Sequence, residues 1–385
     1  MAIIHRSITA RVIQLLQQYP ALAITGPRQS GKTTLLKNIL PGYHYVSLEN
    51  SDQRNFASED PIGFLKRYPS NVILDEVQRV PELFSYIQTR VDESGMMGQY
   101  VLSGSQNFHL MERITQSLSG RIAIFRLLPF DLSELKTADL LVDELSAIIL
   151  KGFYPAIYDR NLDHSIYYSN YLQTYVERDI TNLINVHDKK RFSNFISLCA
   201  NRTGQLLNLS NLAKDCGISQ PTAKSWLSIL ESSYITYLLP PYYENFNKRI
   251  TKSPKLYFFD TGLASFLLGI REIEDLHASS LMGSLFENLI VSEFIKRNHH
   301  LYQLREYFFW RDSNNHEIDL LYKTPAGYHL FEIKSSQTVS SKHLKTMAFF
   351  ADISGKPISN KTLIYGGSEN QDRTDYSVRS WLDLP

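Results

Sequence analysis

Cysteine, net charge and long apolar runs are all scarce in this sequence of 385 residues. The two cysteines, Cys199 and Cys216, are too few for a disulfide framework or a cysteine zinc site, and a reducing cytoplasm is the expected compartment. No apolar run approaches a membrane span, and Arg6 and Arg11 interrupt the N-terminal segment, so we expect neither a membrane anchor nor a signal peptide. With a formal net charge of +1, the chain as a whole does not indicate a nucleic-acid-binding protein, and only a local cluster of basic residues could do so.

The chain is long enough for two or three domains. Apolar strands alternate with helices up to about "IAIFRLLPFDLSEL", which predicts a parallel sheet covered by helices. Helical periodicity dominates from 162 to 231, a β-rich piece follows, and a mixed α/β piece runs from about 281 to the end. We therefore predict an α/β protein of three domains, 1–140, 141–275 and 276–385.

A phosphate-loop pattern follows the short apolar strand "ALAIT" and precedes a helix. In "GPRQSGKTT" the glycines let backbone N–H groups wrap phosphates, and the helix N-terminus adds its positive end. We expect ATP here, with Lys32 reaching the β- and γ-phosphates and Thr33 holding Mg²⁺. The predicted nucleotide-binding residues are Gly26, Pro27, Arg28, Gln29, Ser30, Gly31, Lys32, Thr33, Thr34, Asp75 and Gln106.

Polar residues end the next two apolar strands. Asp75 is placed to coordinate magnesium and Glu76 to orient the attacking water, although such a pair also commonly starts a helix. The intact phosphate loop favours the magnesium role. Ser105, Gln106 and Asn107 end the following strand. One of them could sense the γ-phosphate, or all three could be ordinary loop residues.

The segments "AITGPRQSGKTT", "VILDEVQRVPELF", "YVLSGSQNF" and "SLSGRIAIFRLLPFDLSEL" resemble the AAA-type ATPase domain of a large prokaryotic family. In that family a conserved domain of unknown function follows the ATPase, and "GFYPAIYD", "YVERDI" and "SPKLYFFDTGLASFLLG" resemble this second part. The resemblance implies a conserved arginine in "SGR", here Arg121. It could be an arginine finger, acting within one chain or between chains, or a plain strand-edge residue.

The segment "NLSNLAKDCGISQPTAKSWLSILESSYI" predicts a helix–turn–helix, and the following "YITYLLPPYYENFNKRITKSPKLYFFD" predicts a β-hairpin, which together resemble a winged helix. Residues 187–256 hold ten Lys or Arg against four Asp or Glu. The unit could contact the DNA backbone, or could serve domain packing or protein contact. The predicted DNA-contacting residues are Lys224, Ser225, Lys248, Arg249 and Lys252.

Two acids and a lysine lie on adjacent predicted strands of the last domain, "FFWRDSNNHEIDLLYK" and "GYHLFEIKSS". Period-2 alternation puts Glu332 and Lys334 on one face. Asp319 is expected to end the partner strand, so cross-strand pairing could bring its carboxylate to Glu332. Upstream, "LMGSLFENLIVSEFIKR" predicts an amphipathic helix with Glu287 on its inner side. A solvated strand edge could carry the same charges without any chemistry.

This arrangement resembles the restriction-endonuclease-like core. The resemblance implies that Asp319 and Glu332 hold Mg²⁺ or Mn²⁺, that Glu287 completes the site, and that Lys334 orients or activates water. Gln337 would add a contact. No proline precedes Asp319, where Ile318 stands instead. The same fold also serves as a binding module that does not cleave.

The leading prediction is an ATP-hydrolysing, DNA-associated ATPase coupled to metal-dependent DNA cleavage. The rival is a nucleotide-controlled switch that gates a protein partner and carries a non-cleaving C-terminal module. A structural adaptor with an inactive nucleotide site is disfavoured by the intact Lys32, Thr33, Asp75 and Glu76. The expected partner is DNA, with a second copy of the chain and a protein partner left open.

Overall fold

The computed structural model describes residues 4–105, 114, 116–175, 188–243, 252–340 and 344–384. Four residues singled out from the sequence lie outside these ranges, namely Gln106, Asn107, Lys248 and Arg249. The chain is a mixed α/β protein, as predicted, with one parallel sheet near its N-terminus and a second large sheet near its C-terminus. Among the described residues, no helix combines the length and the hydropathy that crossing a bilayer requires.

The N-terminal unit is built on a five-stranded sheet in the order β2-β3-β4-β1-β5, with all neighbours parallel. Its elements are α1 Thr9–Leu16, β1 Ala21–Thr25, α2 Lys32–Ile39, β2 His44–Ser47, α3 Ser51–Glu59, α4 Pro61–Arg67, β3 Val72–Asp75, α5 Leu83–Ser94, β4 Tyr100–Gly104 and β5 Ile122–Arg126. The central strands β1, β3 and β4 are buried along their whole length, which explains why they are apolar on both faces. Their carboxyl ends meet at one edge of the sheet.

The middle unit is mainly helical. Its elements are α6 Leu132–Thr137, α7 Leu145–Lys151, α8 Pro155–Asp159, α9 His164–Tyr171, α10 Lys189–Ala200, α11 Leu209–Cys216, α12 Gln220–Ser232, β6 Thr236–Leu239, β7 Lys255–Phe258, α13 Thr261–Leu267 and α14 Ile273–Ala278. The predicted helix–turn–helix is present as α11 and α12, with Gly217 at φ 68° ending the first helix and the Ser219 hydroxyl capping the second. Strands β6 and β7 pair antiparallel beside it.

The C-terminal unit carries a six-stranded sheet in the order β12-β13-β11-β10-β9-β8. Its elements are α15 Met282–His300, β8 Tyr307–Arg311, β9 Glu317–Thr324, β10 Gly327–Lys334, α16 Lys345–Ser354, β11 Ile358–Tyr365, β12 Gln371–Asp372 and β13 Ser377–Ser380. Strand β10 pairs antiparallel with β9 and parallel with β11. One apolar core runs from Phe130 to Trp381, through both the middle and the C-terminal unit. The predicted domain limits stay a prediction.

The prediction of one continuous strand over "FFWRDSNNHEIDLLYK" is wrong. A turn separates β8 from β9, so Asp319 stands near the start of β9 and not at the end of a strand. The Asp312 carboxylate accepts hydrogen bonds from the backbone N–H groups of Asn314 and His316, at 2.8 and 3.0 Å. Asn315 takes a left-handed conformation with φ 64°. This turn chemistry ends the strand.

The prediction of an amphipathic α15 is also wrong, because the helix is buried around most of its circumference. Its polar residues are paired inside the protein and do not form a solvated face. Lys296 Nζ donates to Glu293 Oε1 at 2.6 Å and to the Phe130 carbonyl at 3.0 Å, and His300 Nδ1 lies 2.8 Å from Asp131 Oδ2. Partners from other units therefore replace the solvent that an amphipathic pattern assumes.

Asp260 links the start of α13 to the loop before α8, and we expect Asp260→Ala to lower the free energy of unfolding by about 3 kcal/mol. The buried carboxylate accepts hydrogen bonds from Phe153 N, Leu263 N and Tyr168 Oη at 2.7 to 2.8 Å. Its removal leaves buried donors without an acceptor. Urea unfolding followed by circular dichroism measures the loss, and Asp260→Asn, which keeps one acceptor oxygen, should lose less. A change below about 0.5 kcal/mol in Asp260→Ala would contradict this role.

Candidate functional site

The phosphate loop between β1 and α2 needs backbone conformations that favour glycine. Gly26 has φ 151° and Gly31 has φ 93°. A Cβ atom on Gly26 would come within 2.1 Å of the Leu127 carbonyl oxygen, so no larger residue fits without a backbone shift. Gln29 also has a positive φ of 62°. The loop thus curls over the end of β1 and turns directly into α2.

Lys32 is folded back into this loop. Its Nζ donates to the carbonyl oxygens of Gly26 and Pro27 at 2.9 and 2.8 Å. Burial lowers the pKa of Lys32 to about 8, although the nearby carboxylates of Glu76 and Asp75 act in the opposite direction. The neighbouring Ser30 hydroxyl is buried and has no hydrogen-bond partner in the described part of the chain. An ammonium group and an unused hydroxyl fit an anionic phosphate at this place.

Thr33 and Asp75 lie together, as the predicted magnesium site requires. Thr33 Oγ1 donates to Asp75 Oδ2 at 3.0 Å, and the Tyr45 hydroxyl donates to the same oxygen at 2.6 Å. Ser103 Oγ donates to the other carboxylate oxygen. A hydroxyl and a carboxylate are oxygen ligands of the kind Mg²⁺ prefers, so the residues present fit the ion. Tyr45 and Ser103 carry no motif and were not predicted.

Glu76 is held next to this pair in a left-handed conformation with φ 54°. Its Oε2 accepts hydrogen bonds from Gln78 Nε2 at 2.5 Å and from Ser105 Oγ at 3.2 Å. Ser105, one of the three polar residues predicted after β4, therefore contacts the acid. These contacts fix the carboxylate where the carboxyl ends of β3 and β4 meet.

A cavity of about 530 Å³ opens above the loop. The N-terminal unit and the middle unit both line it. The first contributes Arg28, Gln29, Gly31, Lys32, Thr33, Thr34, Asp75 and Glu76, and the second contributes Pro155, Ala156, Asp159 and Arg160 from α8 and the residue after it. The volume suits a nucleotide-sized ligand. The "GFYPAIYD" segment thus borders the same cavity as the phosphate loop.

Arg6 ties the loop to the rest of the protein and was not predicted. Its buried guanidinium donates to the carbonyl oxygens of Ser30 and Leu128 at 2.8 and 2.7 Å, and its Nε lies 3.0 Å from Glu134 Oε1. Arg6 and Glu134 are 128 positions apart in the sequence, and no local sequence pattern predicts their contact. Arg28, by contrast, is half-buried, with Nη2 3.8 Å from Glu49 Oε1.

Arg121 stands at the opposite edge of the sheet from the phosphate loop. Its carbonyl accepts from the N–H of Ala21, the first residue of β1, whereas the loop follows Thr25 at the other end of that strand. Its guanidinium pairs with both Asp92 carboxylate oxygens, at 2.5 and 3.0 Å. The five-residue strand between the two ends spans about 13 Å. Arg121 is not among the residues that line the cavity above the phosphate loop, and its finger role stays a prediction.

The predicted DNA-contacting side chains that the structure describes are exposed. Lys224 and Ser225 lie on the outer face of α12, and Lys252 lies just before β7. The inner face of α12 buries Trp226, whose ring packs against Phe192 and Phe195 with centroid distances of 5.2 and 5.4 Å. This packing orients Lys224 and Ser225 toward solvent.

The acid cluster of the C-terminal unit brings together the residues predicted from "HEID" and "FEIK". Lys334 Nζ lies 3.1 Å from Asp319 Oδ2 and 2.7 Å from Glu332 Oε1. Asp319 Oδ2 also accepts from the backbone N–H of Ile333 at 2.8 Å. Glu287 on α15 reaches the same place, because its carboxylate and that of Asp319 offer oxygens within 4.8 Å of each other. Gln337 is exposed.

Two members of this cluster, Lys255 and Glu317, were not predicted. Lys255 Nζ, on β7 of the middle unit, lies 2.8 Å from Glu287 Oε1 and 2.5 Å from Glu317 Oε1. Burial acts to lower the pKa of Lys255, but the carboxylates of Glu287, Asp319 and Glu317 outweigh it and raise the pKa. Alternation along β9 places Glu317 on the face of Asp319, and this was the available sequence signal.

The oxygens of this cluster fit a divalent cation. Burial raises the pKa of Glu332 to about 8, helped by the nearby Asp319 carboxylate and opposed by Lys334. Glu332 Oε2 is buried and, among the described residues, has no hydrogen-bond partner. An unused carboxylate oxygen beside a second carboxylate is the donor set that Mg²⁺ or Mn²⁺ uses.

Comparison with protein families divides the chain into three matches. Residues 18–136 match the family described as AAA domain. Residues 142–274 match a domain of unknown function, DUF8612, and residues 282–383 match another, DUF4143. The matched AAA segment contains the phosphate loop, Asp75, Glu76 and Arg121. The matched C-terminal segment contains Glu287, Asp319, Glu332 and Lys334.

Similar whole proteins give no function. Uncharacterized proteins of Mycobacterium bovis and Mycobacterium tuberculosis are each 28% identical to this chain over 345 residues, which is 88% of this chain and 76% of each relative. Among solved structures, a Walker-type ATPase of Pyrococcus abyssi is similar over 69% of this chain and 96% of its own, with 15% identity and a TM-score of 0.47.

Proposed function

Because the chain carries a P-loop AAA-type ATPase domain followed by domains of unknown function, we propose that it binds ATP with Mg²⁺ and hydrolyses it. The supporting observation is that one cavity is lined by Lys32, Thr33, Asp75 and Glu76 together. Each of these groups has a separate task in phosphoryl transfer, and all four lie around one nucleotide-sized space.

The contacts suggest how this chain would divide the work. Lys32 would leave the Gly26 and Pro27 carbonyl oxygens and bind the phosphates, while Thr33 and Asp75 would hold Mg²⁺. The ion would neutralise charge that develops on the transferred phosphoryl group. Glu76, held by its contacts with Gln78 and Ser105, would orient the attacking water and accept its proton.

The acid cluster supports a second activity, metal-dependent cleavage of DNA. The supporting observation is that the Lys334 ammonium contacts both Asp319 and Glu332, and that Glu287 lies close to Asp319. Asp319 and Glu332 would hold Mg²⁺ or Mn²⁺, and the Lys334 ammonium would orient the water that attacks the phosphodiester. The metal supplies charge stabilisation and a more acidic water. The sheet around the cluster would then be a restriction-endonuclease-like core.

The exposed basic face of the middle unit would bind the DNA backbone, as in a winged helix. We expect Lys224→Ala and Lys252→Ala each to weaken duplex binding by about 3- to 10-fold, because each removes one phosphate contact. The slope of log affinity against log salt concentration should become shallower by about 0.9, the contribution of one phosphate contact. Fluorescence anisotropy with a labelled duplex measures both. Lys66→Ala, on the exposed side of α4, is the matched control and should bind as the parent does.

The rival function is a nucleotide-controlled switch that gates a protein partner. It is favoured by the shared cavity, since α8 of the middle unit lines this cavity and would contact a nucleotide bound there. ATP turnover with and without duplex and single-stranded DNA, in Mg²⁺ or Mn²⁺, separates the two when phosphate release and DNA length are both scored. DNA-stimulated turnover supports the DNA-associated ATPase. A rate of ATP turnover that is the same with and without DNA, together with DNA of unchanged length, supports the switch.

A further inference from the structure

We propose that Lys255 is a built-in cation of the acid cluster, whose ammonium occupies the Glu287–Glu317 side so that only the Asp319–Glu332 side takes a divalent ion. The inference rests on the proposed metal-binding function of the cluster. It adds a residue of the middle unit to a site that otherwise belongs to the C-terminal unit.

The Lys255 ammonium occupies a position that a cation could fill. Oxygens of Glu287, Glu317 and Asp319 all lie within 4.8 Å of one another, which is the spacing of ligands around one ion. Lys255 Nζ contacts two of these three carboxylates, at 2.8 and 2.5 Å. Its side chain is only 2% exposed, so the charge is shielded from solvent and acts on these acids.

The backbone of the middle unit holds Lys255 in place. Lys255 begins β7, where it pairs with Leu239 of β6 and forms an isolated bridge with Leu206. The next residue, Leu256, exchanges hydrogen bonds with Gly204 and Gln205, at 2.8 and 3.1 Å. The lysine is therefore presented from a fixed strand and does not reach in from a mobile loop.

The two sides of the cluster differ in how their oxygens are used. Glu287 Oε1 accepts from both Lys255 and Tyr257, and the two oxygens of Glu317 meet Lys255 and Arg311. On the other side, Lys334 Nζ also lies 3.1 Å from Asp319 Oδ2 and 2.7 Å from Glu332 Oε1, but its side chain is 34% exposed and can turn toward solvent, whereas Lys255 is enclosed. Glu332 Oε2 is buried with no partner among the described residues. The unused oxygen directs a divalent ion to Glu332 and Asp319, and the ammonium keeps a second ion from the other side.

The test counts Mn²⁺ on the full-length, nucleotide-free protein by electron paramagnetic resonance. We expect Lys255→Met to bind one more Mn²⁺ per chain than the parent, because two carboxylates lose their ammonium. The double variant Lys255→Met/Glu287→Gln should return to the parent number. Asp319→Ala identifies the ions that belong to the cluster, and any Mn²⁺ at the phosphate loop is common to all variants and cancels in the differences.

A thermal melt gives a second readout. In Lys255→Met, Glu287 still accepts a hydrogen bond from the Tyr257 hydroxyl, and Glu317 still pairs with Arg311. The variant should therefore fold, with a lower melting temperature than the parent. Added Mn²⁺ should raise the melting temperature more in Lys255→Met than in the parent or the double variant, because only Lys255→Met binds the additional ion. If Lys255→Met folds poorly, the yield of folded protein on refolding with Mn²⁺ replaces the melt, and a yield that Mn²⁺ does not raise counts against the inference.

The outcomes distinguish this inference from the proposed function. An unchanged Mn²⁺ count in Lys255→Met, with no recovery by Mn²⁺, overturns the inference and reduces Lys255 to a structural counter-ion, while the metal site itself stands. A parent with no Mn²⁺ that depends on Asp319 overturns the metal function. In that case, an ion gained only in Lys255→Met would still support the inference that the Lys255 ammonium occupies a cation position between Glu287 and Glu317.

Discussion

ATP binding is expected to fall about 100-fold or more in Lys32→Ala. The alanine removes the ammonium that the phosphate loop directs at the β- and γ-phosphates, and a charged hydrogen bond to phosphate is among the strongest contacts a protein makes. A fluorescent ATP analogue titrated against the purified variant measures the loss. Lys66→Ala serves as the control, because that lysine is exposed on α4, outside the cavity.

Glu76→Gln should separate binding from turnover. The amide fills the same volume and can keep the contact with Ser105, so ATP should bind about as tightly as in the parent. Turnover should fall about 100- to 1000-fold, since an amide cannot accept the proton of the attacking water. Phosphate release measures the rate of turnover. Glu82→Gln is the matched control, because Glu82 is an exposed glutamate at the start of α5. Parent-rate hydrolysis in Glu76→Gln would remove Glu76 from the mechanism.

DNA cleavage in Mn²⁺ is expected to fall about 100-fold or more in both Asp319→Ala and Lys334→Ala. The first variant loses a metal ligand, and the second loses the ammonium that contacts both acids. Denaturing gels of an end-labelled duplex score the product in each nucleotide state. The exposed residues Asp352 and Lys345 of α16 provide the matched alanine controls.

Two results would reject the nuclease function. The first is intact DNA with the parent protein under every nucleotide and metal condition. The second is cleavage by Asp319→Ala and Lys334→Ala that equals the parent, since a contaminating nuclease would then be the source. Either result leaves the acid cluster as part of a binding module, which is the C-terminal role in the rival switch.

The parts of this protein that the sequence determines by itself are those encoded over short distances. The phosphate loop, its strand and its helix lie within about twenty consecutive residues, and glycine positions plus apolar periodicity suffice to predict them. The helix–turn–helix is equally local, since Gly217 and Ser219 end one helix and begin the next. Period-2 alternation placed Glu332 and Lys334 on one face, and the structure has them 2.7 Å apart.

Tertiary structure alone decided which distant residues complete these sites. Arg6 reaches Glu134, Tyr45 reaches Asp75, and Lys255 reaches Glu287, each across at least 30 positions of sequence. Packing also gave the polar residues of α15 protein partners, where the sequence pattern predicts contact with solvent. A pattern of charged and apolar residues predicts a solvated face only if water is the partner, whereas here Asp131 and Phe130 take that place. Local sequence specifies which groups need a partner, and only the folded chain determines whether water or another side chain supplies it.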